Sequence, residues 1–296
     1  MIRVGILRGG NDYENSLSRG GILISHILEN LSHKYKPLDI LVDKDGAWHA
    51  AGRPVLPADL MHKVDVVWNM ADPAFSPVLK SLSVPHVAGN IFPEGEGRRA
   101  MLAEYVKGSM IKLPRHVLIP AYLPELDGPE DRYAMKKAMA VFEKFGGPWT
   151  VKAFSGSGTG IRVARTFPEL FAAIGELLPS EQSIIVEELI SGTEATVHAL
   201  SGFRGQDSYV FPPGAFSAGE KQQLMDAALS AHRRLGFPHY LKLDMTIHPK
   251  FGVHITNAEC VPDLSPDSHF SNACREVGAQ AHHVADHIIN LALEGK

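Results

Sequence analysis

The chain has 296 residues, of which 45% are hydrophobic, and a formal net charge of −4 at pH 7. This length can bury a core in two or three lobes, and the charge balance offers no basic surface for nucleic acid or an anionic membrane. Two cysteines are too few for a disulfide scaffold, and no apolar run reaches the roughly 18 residues of a membrane span. We therefore expect a cytoplasmic protein.

The N-terminal part of the chain alternates apolar strands with a helix, which is typical of a parallel sheet with helices on its faces. The helix is predicted from about Leu17 to Leu31. The strands are predicted at Arg3 to Leu7, Leu38 to Val42 and Val64 to Trp68.

The remainder of the chain has the pattern of α+β structure with antiparallel hairpins. A capping-box spacing at Thr166 and Glu169 predicts the start of one helix. Helices are predicted at about Arg98 to Met110, Met135 to Phe145, Leu170 to Leu178, Glu220 to Leu235 and Gly278 to Leu293. Strands are predicted at Pro114 to Pro120, Trp149 to Ala153, Ile161 to Ala164, Ile184 to Glu187, Ala195 to Leu200, Tyr209 to Phe211, Leu241 to Ile247 and Val253 to Ala258.

A loop of glycine, serine and threonine runs from Ser155 to Gly160, shortly after the strand lysine Lys152. Such a loop leaves backbone N–H groups free and allows a ligand to approach closely, so it could hold phosphate oxygens. The lysine would supply the positive point charge that phosphate needs. The alternative is a flexible hairpin turn beside a surface lysine.

Three glutamates follow within one hairpin, Glu187 and Glu188 at a strand end and Glu194 after a tight turn. Their carboxylates could accept hydrogen bonds from an adenine amino group and from ribose hydroxyls. The alternative is an ordinary solvated hairpin.

Polar residues share a face on each of the last two predicted strands. Side chains alternate along a strand, so Lys242 and Asp244 point to one side, as do Asn257 and Glu259. Oxygen atoms of Asp244, Asn257 and Glu259 would suit Mg²⁺ held together with nucleotide phosphates. The alternative is a set of paired polar groups on an exposed sheet face.

The order of these segments resembles the ATP-grasp superfamily and, within it, the D-alanine–D-alanine ligase family, over nearly the whole chain. Near the N-terminus, residues 9–17 are similar to the family's Gly-Gly segment that carries a substrate-binding glutamate. Residues 149–161 resemble its ATP loop, and residues 186–194 its adenine and ribose segment. Residues 241–244 and 257–268 resemble its catalytic strand and its metal and substrate segment.

The resemblance implies an ATP-grasp fold, in which an N-terminal parallel α/β domain of residues 1–92 precedes two α+β lobes that clasp ATP. These lobes would comprise residues 93–183 and 184–296. The implied activity is ATP-dependent ligation of an amino acid through an acylphosphate, in peptidoglycan biosynthesis for the cell wall. The implied cofactors are ATP and Mg²⁺ or Mn²⁺, the partner is a small amino-acid substrate, and a homodimer is expected.

The resemblance also assigns roles to individual residues. Nucleotide contacts are implied for Arg99, Lys152, Ser155, Gly156, Glu187, Glu188, Ile190 and Glu194. Metal binding is implied for Asp244, Asn257 and Glu259. Catalytic or orienting roles are implied for Glu14, Ser157 and Lys242, and substrate contacts for Asp263 and Ser268.

The chain departs from the family at several of these positions. Lys242 replaces an arginine, the order of Asn257 and Glu259 is inverted, and Asp263 replaces a glycine. The long loop that covers the family's active site is missing, since Phe211 to Phe216 leads almost directly into a helix. Two alternatives therefore stay open: a ligase for another amino acid or small acid, and a non-catalytic nucleotide-binding relative.

Two other patterns have ordinary interpretations. His283 and His287 have the i,i+4 spacing of a zinc pair, but helix-surface histidines are commoner and no third ligand is evident. Cys260 follows Glu259 with no base placed to activate it, so we expect it to serve packing.

Overall fold

A computed structural model describes residues 1–10, 13–72, 74–87, 102–104, 106–108, 111–153, 161–180, 183–236 and 239–295. The chain forms two compact units. The first unit comprises residues 1–92, 195–244 and 257–296, and the second comprises residues 93–194 and 245–256. The three-domain division expected from the sequence stays a prediction.

A six-stranded sheet begins the first unit, with the strand order β4-β3-β2-β1-β5-β6. The neighbouring pairs β1–β2, β1–β5 and β5–β6 are parallel, as the alternating pattern predicts. An antiparallel extension formed by β3 and β4 was not predicted. The strands are β1 (Ile2–Gly9), β2 (Tyr35–Val42), β3 (Trp48–Ala50), β4 (Arg53–Pro54), β5 (Val66–Asn69) and β6 (His86–Val87). The helices are α1 (Tyr13–Asn30), α2 (Leu60–Lys63) and α3 (Phe75–Ser81).

The end of β1 requires glycine. Gly9 has a φ of 96°, and a Cβ atom there would lie 1.9 Å from the carbonyl oxygen of Val42. Its backbone N–H donates to Ser16 Oγ at 3.0 Å, which links the strand end to α1. The Gly-Gly segment therefore brings the first turn of α1, which carries Glu14, close to the end of a central strand.

An antiparallel sheet of order β7-β10-β8-β9 lies in the second unit. Thr166 caps the helix that follows β9 by accepting from the N–H of Glu169, as predicted, while the Glu169 carboxylate accepts from the N–H of Arg165. The strands are β7 (His116–Ile119), β8 (Trp149–Ala153), β9 (Arg162–Ala164) and β10 (Ile184–Glu188). The helices are α4 (Pro124–Asp127), α5 (Glu130–Lys144) and α6 (Phe167–Leu177).

A third sheet has the order β12-β11-β13-β14. Its strands are β11 (Thr193–Ser201), β12 (Ser208–Val210), β13 (Tyr240–His248) and β14 (Gly252–Glu259). The helices that follow in the chain are α7 (Ala218–Leu235), α8 (His269–Glu276) and α9 (Ala281–Glu294). The connection between β12 and α7 is residues 211–217, so the short segment expected in place of a covering loop is present.

Helices α2, α3, α4 and α8 do not correspond to any predicted helix. The helix predicted from Arg98 to Met110 falls largely outside the described residues, of which 102–104 and 106 are helical. Helix α8 was not predicted, because its sequence is short and mostly polar. None of the helices in the described part combines the length and apolar character needed to cross a membrane.

Candidate functional site

In the second unit, Lys152 and Glu187 form an ion pair across two strands. Strands β8 and β10 are antiparallel with Lys152 opposite Ile185, so Glu187 is its diagonal neighbour on the same face. Lys152 Nζ lies 2.8 Å from Glu187 Oε2. The glutamate is buried, whereas a third of the lysine side chain is exposed. The sheet therefore presents a cation that is held by a buried carboxylate.

Glu188, the next residue of β10, is engaged by an arginine. Arg115 donates from Nε to Glu188 Oε2 at 2.9 Å and from a terminal nitrogen to Oε1 at 2.8 Å. These hydrogen bonds hold the pKa of the Glu188 carboxyl below its usual range. The Arg115 guanidinium also lies 5.3 Å from the ring centroid of Phe145. No pattern in the sequence points to Arg115, because the pairing depends on how the chain before β7 meets the end of β10.

Of the remaining nucleotide candidates, Ile190 and Glu194 lie in the described part of the chain and the others lie outside it. Ile190 is partly buried and Glu194 is exposed near the start of β11. Between them, a Cβ atom on Gly192 would lie 2.1 Å from the carbonyl oxygen of Ile247, so this turn needs glycine. Arg99, Ser155, Gly156 and Ser157 lie outside the described residues.

In the first unit, four polar side chains of β13 and β14 form one group, which we call the acidic cluster: Lys242, Asp244, Asn257 and Glu259. Asn257 Nδ2 donates to Asp244 Oδ2 at 3.2 Å and to Glu259 Oε1 at 3.1 Å. Lys242 Nζ lies 3.4 Å and 3.6 Å from the same two oxygens. The charged side chains of the cluster are each less than a third exposed. The strand alternation read from the sequence therefore brings these residues together.

The acidic cluster has the donor chemistry of a magnesium site. One oxygen of Asp244 and one of Glu259 converge on the ammonium group of Lys242, so they can share a cation. The second oxygen of Asp244 accepts from Thr196 Oγ1 at 2.8 Å, which orients the carboxylate. Thr196 was not selected from the sequence, although polar residues at alternate positions of β11 gave a signal for it.

The substrate-side candidates are held by local turns of the first unit. Asp263 Oδ1 accepts from the N–H of Ser265 at 3.0 Å, and Ser268 Oγ donates to the carbonyl of Asp263 at 2.7 Å. Ser268 is also the N-cap of α8. Glu14 is exposed in the first turn of α1, and no contact recorded in the described chain joins it to the acidic cluster.

The histidine pair of α9 is engaged in hydrogen bonds. His287 Nε2 lies 2.7 Å from the carbonyl oxygen of Ser201, and His283 Nδ1 accepts from the N–H of Gln280. Over the described ranges, no three His, Cys, Asp or Glu side chains form a group that could hold a metal. Cys260 is buried and is not part of a disulfide.

No family model matches the chain. Among curated proteins, the D-alanine–D-alanine ligase of Desulforudis audaxviator is 22% identical and aligns over 99% of both chains. The corresponding ligase of Halalkalibacterium halodurans is 27% identical, but that match spans 47% of this chain and only 54% of the relative's length.

Solved structures that resemble this chain are also D-alanine ligases. The VanG D-Ala:D-Ser ligase of Enterococcus faecalis superimposes with a TM-score of 0.75 at 20% identity, covering 98% of this chain and 99% of that one. The D-alanine–D-alanine ligase of Bacillus anthracis, solved in complex with ATP, gives a TM-score of 0.71 at 16% identity, with 99% and 98% covered. The fold and the resemblance expected from the sequence motifs are confirmed.

Proposed function

We propose that this chain, a divergent relative of the D-alanine–D-alanine ligases with the ATP-grasp fold, is an ATP-dependent ligase of that type. It would join the carboxyl group of one amino acid to the amine of another and form a dipeptide through an acylphosphate. D-Ala-D-Ala, the product that the relatives' names indicate, is a precursor for peptidoglycan biosynthesis.

The observation that carries this function is the acidic cluster. Asp244 and Glu259 direct two carboxylate oxygens at one cation, Lys242, on two neighbouring strands. A merely structural ion pair needs one carboxylate, whereas phosphoryl transfer needs several charges placed around the transferred group. The cluster occupies the strands whose sequence resembles the catalytic and metal segments of the family.

Residues of the second unit would bind the nucleotide. Lys152 would pair with phosphate oxygens, for which the ammonium group of its partly exposed side chain is suited. Glu187 holds that lysine at 2.8 Å, and Glu188, Ile190 and Glu194 would contact the base and the ribose. Arg99 and the loop residues Ser155 and Gly156 are proposed to contact phosphate from the resemblance alone.

Residues of the first unit would bind Mg²⁺ or Mn²⁺ and the amino acids. Asp244 and Glu259 are the proposed metal ligands, and Thr196 would orient Asp244. Asn257, whose amide nitrogen donates to both carboxylates, would add its oxygen as a ligand after rotation of the amide. When bound, the metal ion offsets negative charge on phosphate oxygens. Glu14 would orient the amino-acid substrates, with Asp263 and Ser268 near the accepted carboxylate. Ser157, which belongs to the second unit, is proposed to share this orienting role from the resemblance alone.

The chemistry divides into two displacements. A carboxylate oxygen of the first amino acid attacks the γ-phosphorus of ATP, the bond to ADP breaks, and an acylphosphate forms. The neutral amine of the second amino acid then attacks the carbonyl carbon. Lys242 would stabilise the oxyanion of the tetrahedral intermediate. The amine loses a proton, the C–O bond breaks, and inorganic phosphate leaves.

A second candidate is a ligase of the same type for a different acceptor. It is favoured by Asp263, which carries an exposed negative charge where the family has a glycine, and by the short connection of residues 211–217. An exposed carboxylate would repel a substrate carboxylate beside it. It would favour a substrate whose group at that position is cationic or neutral. We further propose a homodimer in the cytoplasm, which light scattering and cell fractionation would check.

The test is phosphate release from Mg-ATP in the presence of a panel of D- and L-amino acids, with mass spectrometry of the products. Stimulation by D-alanine with formation of D-Ala-D-Ala supports the main proposal. Stimulation by another acid alone supports the second candidate. ATP binding with no stimulated release would overturn both and leave a non-catalytic relative. Lys242→Gln should lose this stimulation, whereas the matched control Lys34→Gln, which removes a partly exposed lysine paired with Asp286, should keep it.

A further inference from the structure

A buried histidine in the first unit links a buried tyrosine to an exposed histidine. His198 of β11 is 2% exposed. Its Nδ1 lies 2.8 Å from the hydroxyl of Tyr240 on β13, and its Nε2 lies 2.8 Å from Nδ1 of His269, the first residue of α8. Phe270 packs against the His198 ring at 4.9 Å between centroids. The three polar side chains thus form one hydrogen-bonded chain from the core to the surface.

This chain lies beside the acidic cluster. Tyr240 and Asp244 point to the same face of β13, with Lys242 between them. On β11, Thr196 bonds Asp244 and His198 bonds Tyr240, so the two β11 residues are one strand repeat, about 7 Å, apart. His269 also directly follows Ser268, one of the proposed substrate contacts. The exposed end of the chain therefore belongs to the same region as the proposed substrate residues.

The buried groups fix which nitrogen of His269 carries its proton. Burial lowers the pKa of His198 to about 3, helped by His269 and Lys242, so its ring is neutral. Burial likewise raises the pKa of Tyr240, which stays protonated. Within the described chain, His198 is the only recorded hydrogen-bond partner of the Tyr240 hydroxyl, and a buried O–H without an acceptor is costly. Tyr240 therefore donates to Nδ1 of His198.

The donation from Tyr240 to Nδ1 of His198 determines the direction of the hydrogen bond between His198 and His269. A neutral His198 that accepts at Nδ1 carries its proton on Nε2, and donates it to Nδ1 of His269. The proton of a neutral His269 then sits on Nε2, on the exposed side of the chain. That N–H can pair with a carboxylate or carbonyl oxygen, but not with an ammonium group.

We infer that His269 donates its Nε2–H to a carboxylate oxygen of the amino-acid substrate and so helps to determine which acid the site accepts. This role rests on the proposed function. His198 and Tyr240 are positioning residues, because they act only by fixing the orientation and the tautomer of His269.

Kinetics of three His269 variants test the contact. In His269→Ala, the KM for the amino acid should rise about ten- to a hundredfold, the loss expected for a hydrogen bond to a charged group. The KM for ATP should not change. His269→Gln places an amide N–H near the Nε2 position and should restore most of the affinity, whereas His269→Asn should not. The exposed His33→Gln is the matched control. An unchanged amino-acid KM in His269→Ala would overturn the inference.

Nitrogen-15 NMR of histidine-labelled protein tests the same contact without turnover. The Nε2–H form of His198 and His269 is expected in the wild type and should be lost from His198 in Tyr240→Phe. On titration with D-alanine and the other amino acids of the panel, in the presence of a non-hydrolysable ATP analogue, His269 Nε2 should shift. Ethylamine, which lacks a carboxylate, should leave it unmoved.

The two measurements separate this inference from the proposed function. A shift at His269 without any stimulated phosphate release would keep the binding role and overturn the ligase function. Phosphate release without a shift at His269 would support the ligase function and overturn the binding role of His269. An Nδ1–H form of His198 in the wild type would overturn the positioning roles of His198 and Tyr240.

Discussion

The ammonium nitrogen of Lys242 lies 3.4 Å from a carboxylate oxygen of Asp244. The same nitrogen lies 3.6 Å from Glu259 Oε1, so a single cation is shared by two carboxylates on adjacent strands. A divalent cation bound there would take over part of this role and release Lys242 for the reacting group. The acidic cluster is thus the part of the molecule on which the proposed chemistry most depends.

Substitution of Asp244 should weaken divalent metal binding. Asp244→Asn removes one of the two charges that converge on the cation, whereas Thr196→Val removes only the hydrogen bond that orients Asp244. We expect Thr196→Val to lower Mn²⁺ affinity about 10- to 100-fold, and Asp244→Asn to lower it further. Electron paramagnetic resonance of Mn²⁺ measures both. Wild-type affinity in Asp244→Asn would show that the metal binds elsewhere.

Substitution of Lys152 should affect stability and nucleotide binding separately. Lys152→Met leaves buried Glu187 without its lysine partner, which should lower the free energy of unfolding by about 1–3 kcal/mol. ATP affinity should fall about ten- to a hundredfold, because a charge-assisted contact to phosphate is lost. Denaturant unfolding and calorimetric titration measure the two effects.

The double variant Lys152→Met with Glu187→Gln serves as the control for that experiment. Neutralising Glu187 removes the buried charge, so most of the lost stability should return. ATP affinity should stay low, since the phosphate contact is still missing. Recovery of ATP binding along with stability would mean that Lys152 acts through the fold and not through the nucleotide.

The Arg115–Glu188 pair should make stability depend on pH. Arg115 lowers the pKa of Glu188, so the pair stabilises the fold above the ordinary glutamate pKa of 4.5 and loses this effect as pH falls through the lowered value. Arg115 is more than half exposed, so the difference in unfolding free energy between wild type and Arg115→Gln should be about 0.5–1 kcal/mol at pH 7. In acid that difference should shrink.

Urea unfolding across pH measures this dependence. A small difference that does not change with pH should remain, because the guanidinium group also packs over the ring of Phe145. The exposed Arg132→Gln, which changes net charge equally, should show no such trend. A difference between wild type and Arg115→Gln that grows in acid would contradict the assignment.

Two glycine substitutions in the second unit should change the free energy of unfolding in opposite directions. Gly192→Ala would place a Cβ atom 2.1 Å from the carbonyl oxygen of Ile247 and should destabilise by about 1–3 kcal/mol. Gly175 lies inside α6, and a Cβ atom there would meet nothing within 4 Å beyond the local helix backbone. Gly175→Ala should therefore stabilise by up to about 1 kcal/mol. Thermal unfolding measures both, and equal effects would contradict the close approach at Gly192.

Much of the fold followed from local patterns. The parallel strands β1, β2 and β5 of the first sheet are rich in apolar residues. The alternation along β13 and β14 correctly placed Lys242 and Asp244, and Asn257 and Glu259, on shared faces. The short pair β3 and β4 was missed, because strands of three and two residues carry too little alternation to be recognised. Helix α8 was missed because it spans only eight residues, although Phe270, Ala273 and Cys274 have the i, i+3, i+4 spacing of a buried apolar stripe.

The partners that complete the candidate site could not be predicted in the same way. Arg115 reaches Glu188, and His198 reaches His269, across long separations in sequence that depend on strand order and register. Thr196 is an intermediate case: alternation along β11 put it on a polar face, but only its contact with Asp244 gives it a role. Local sequence identifies charged groups, whereas tertiary pairing determines what orients them.

The most direct test of the proposed ligase chemistry follows an oxygen atom. The amino acid that stimulates phosphate release is labelled with oxygen-18 in its carboxylate, and the released phosphate is examined by mass spectrometry. Transfer of one labelled oxygen to phosphate for each dipeptide formed is predicted, because the carboxylate oxygen that attacks the γ-phosphorus leaves with the phosphate. Dipeptide formation with unlabelled phosphate would contradict an acylphosphate intermediate.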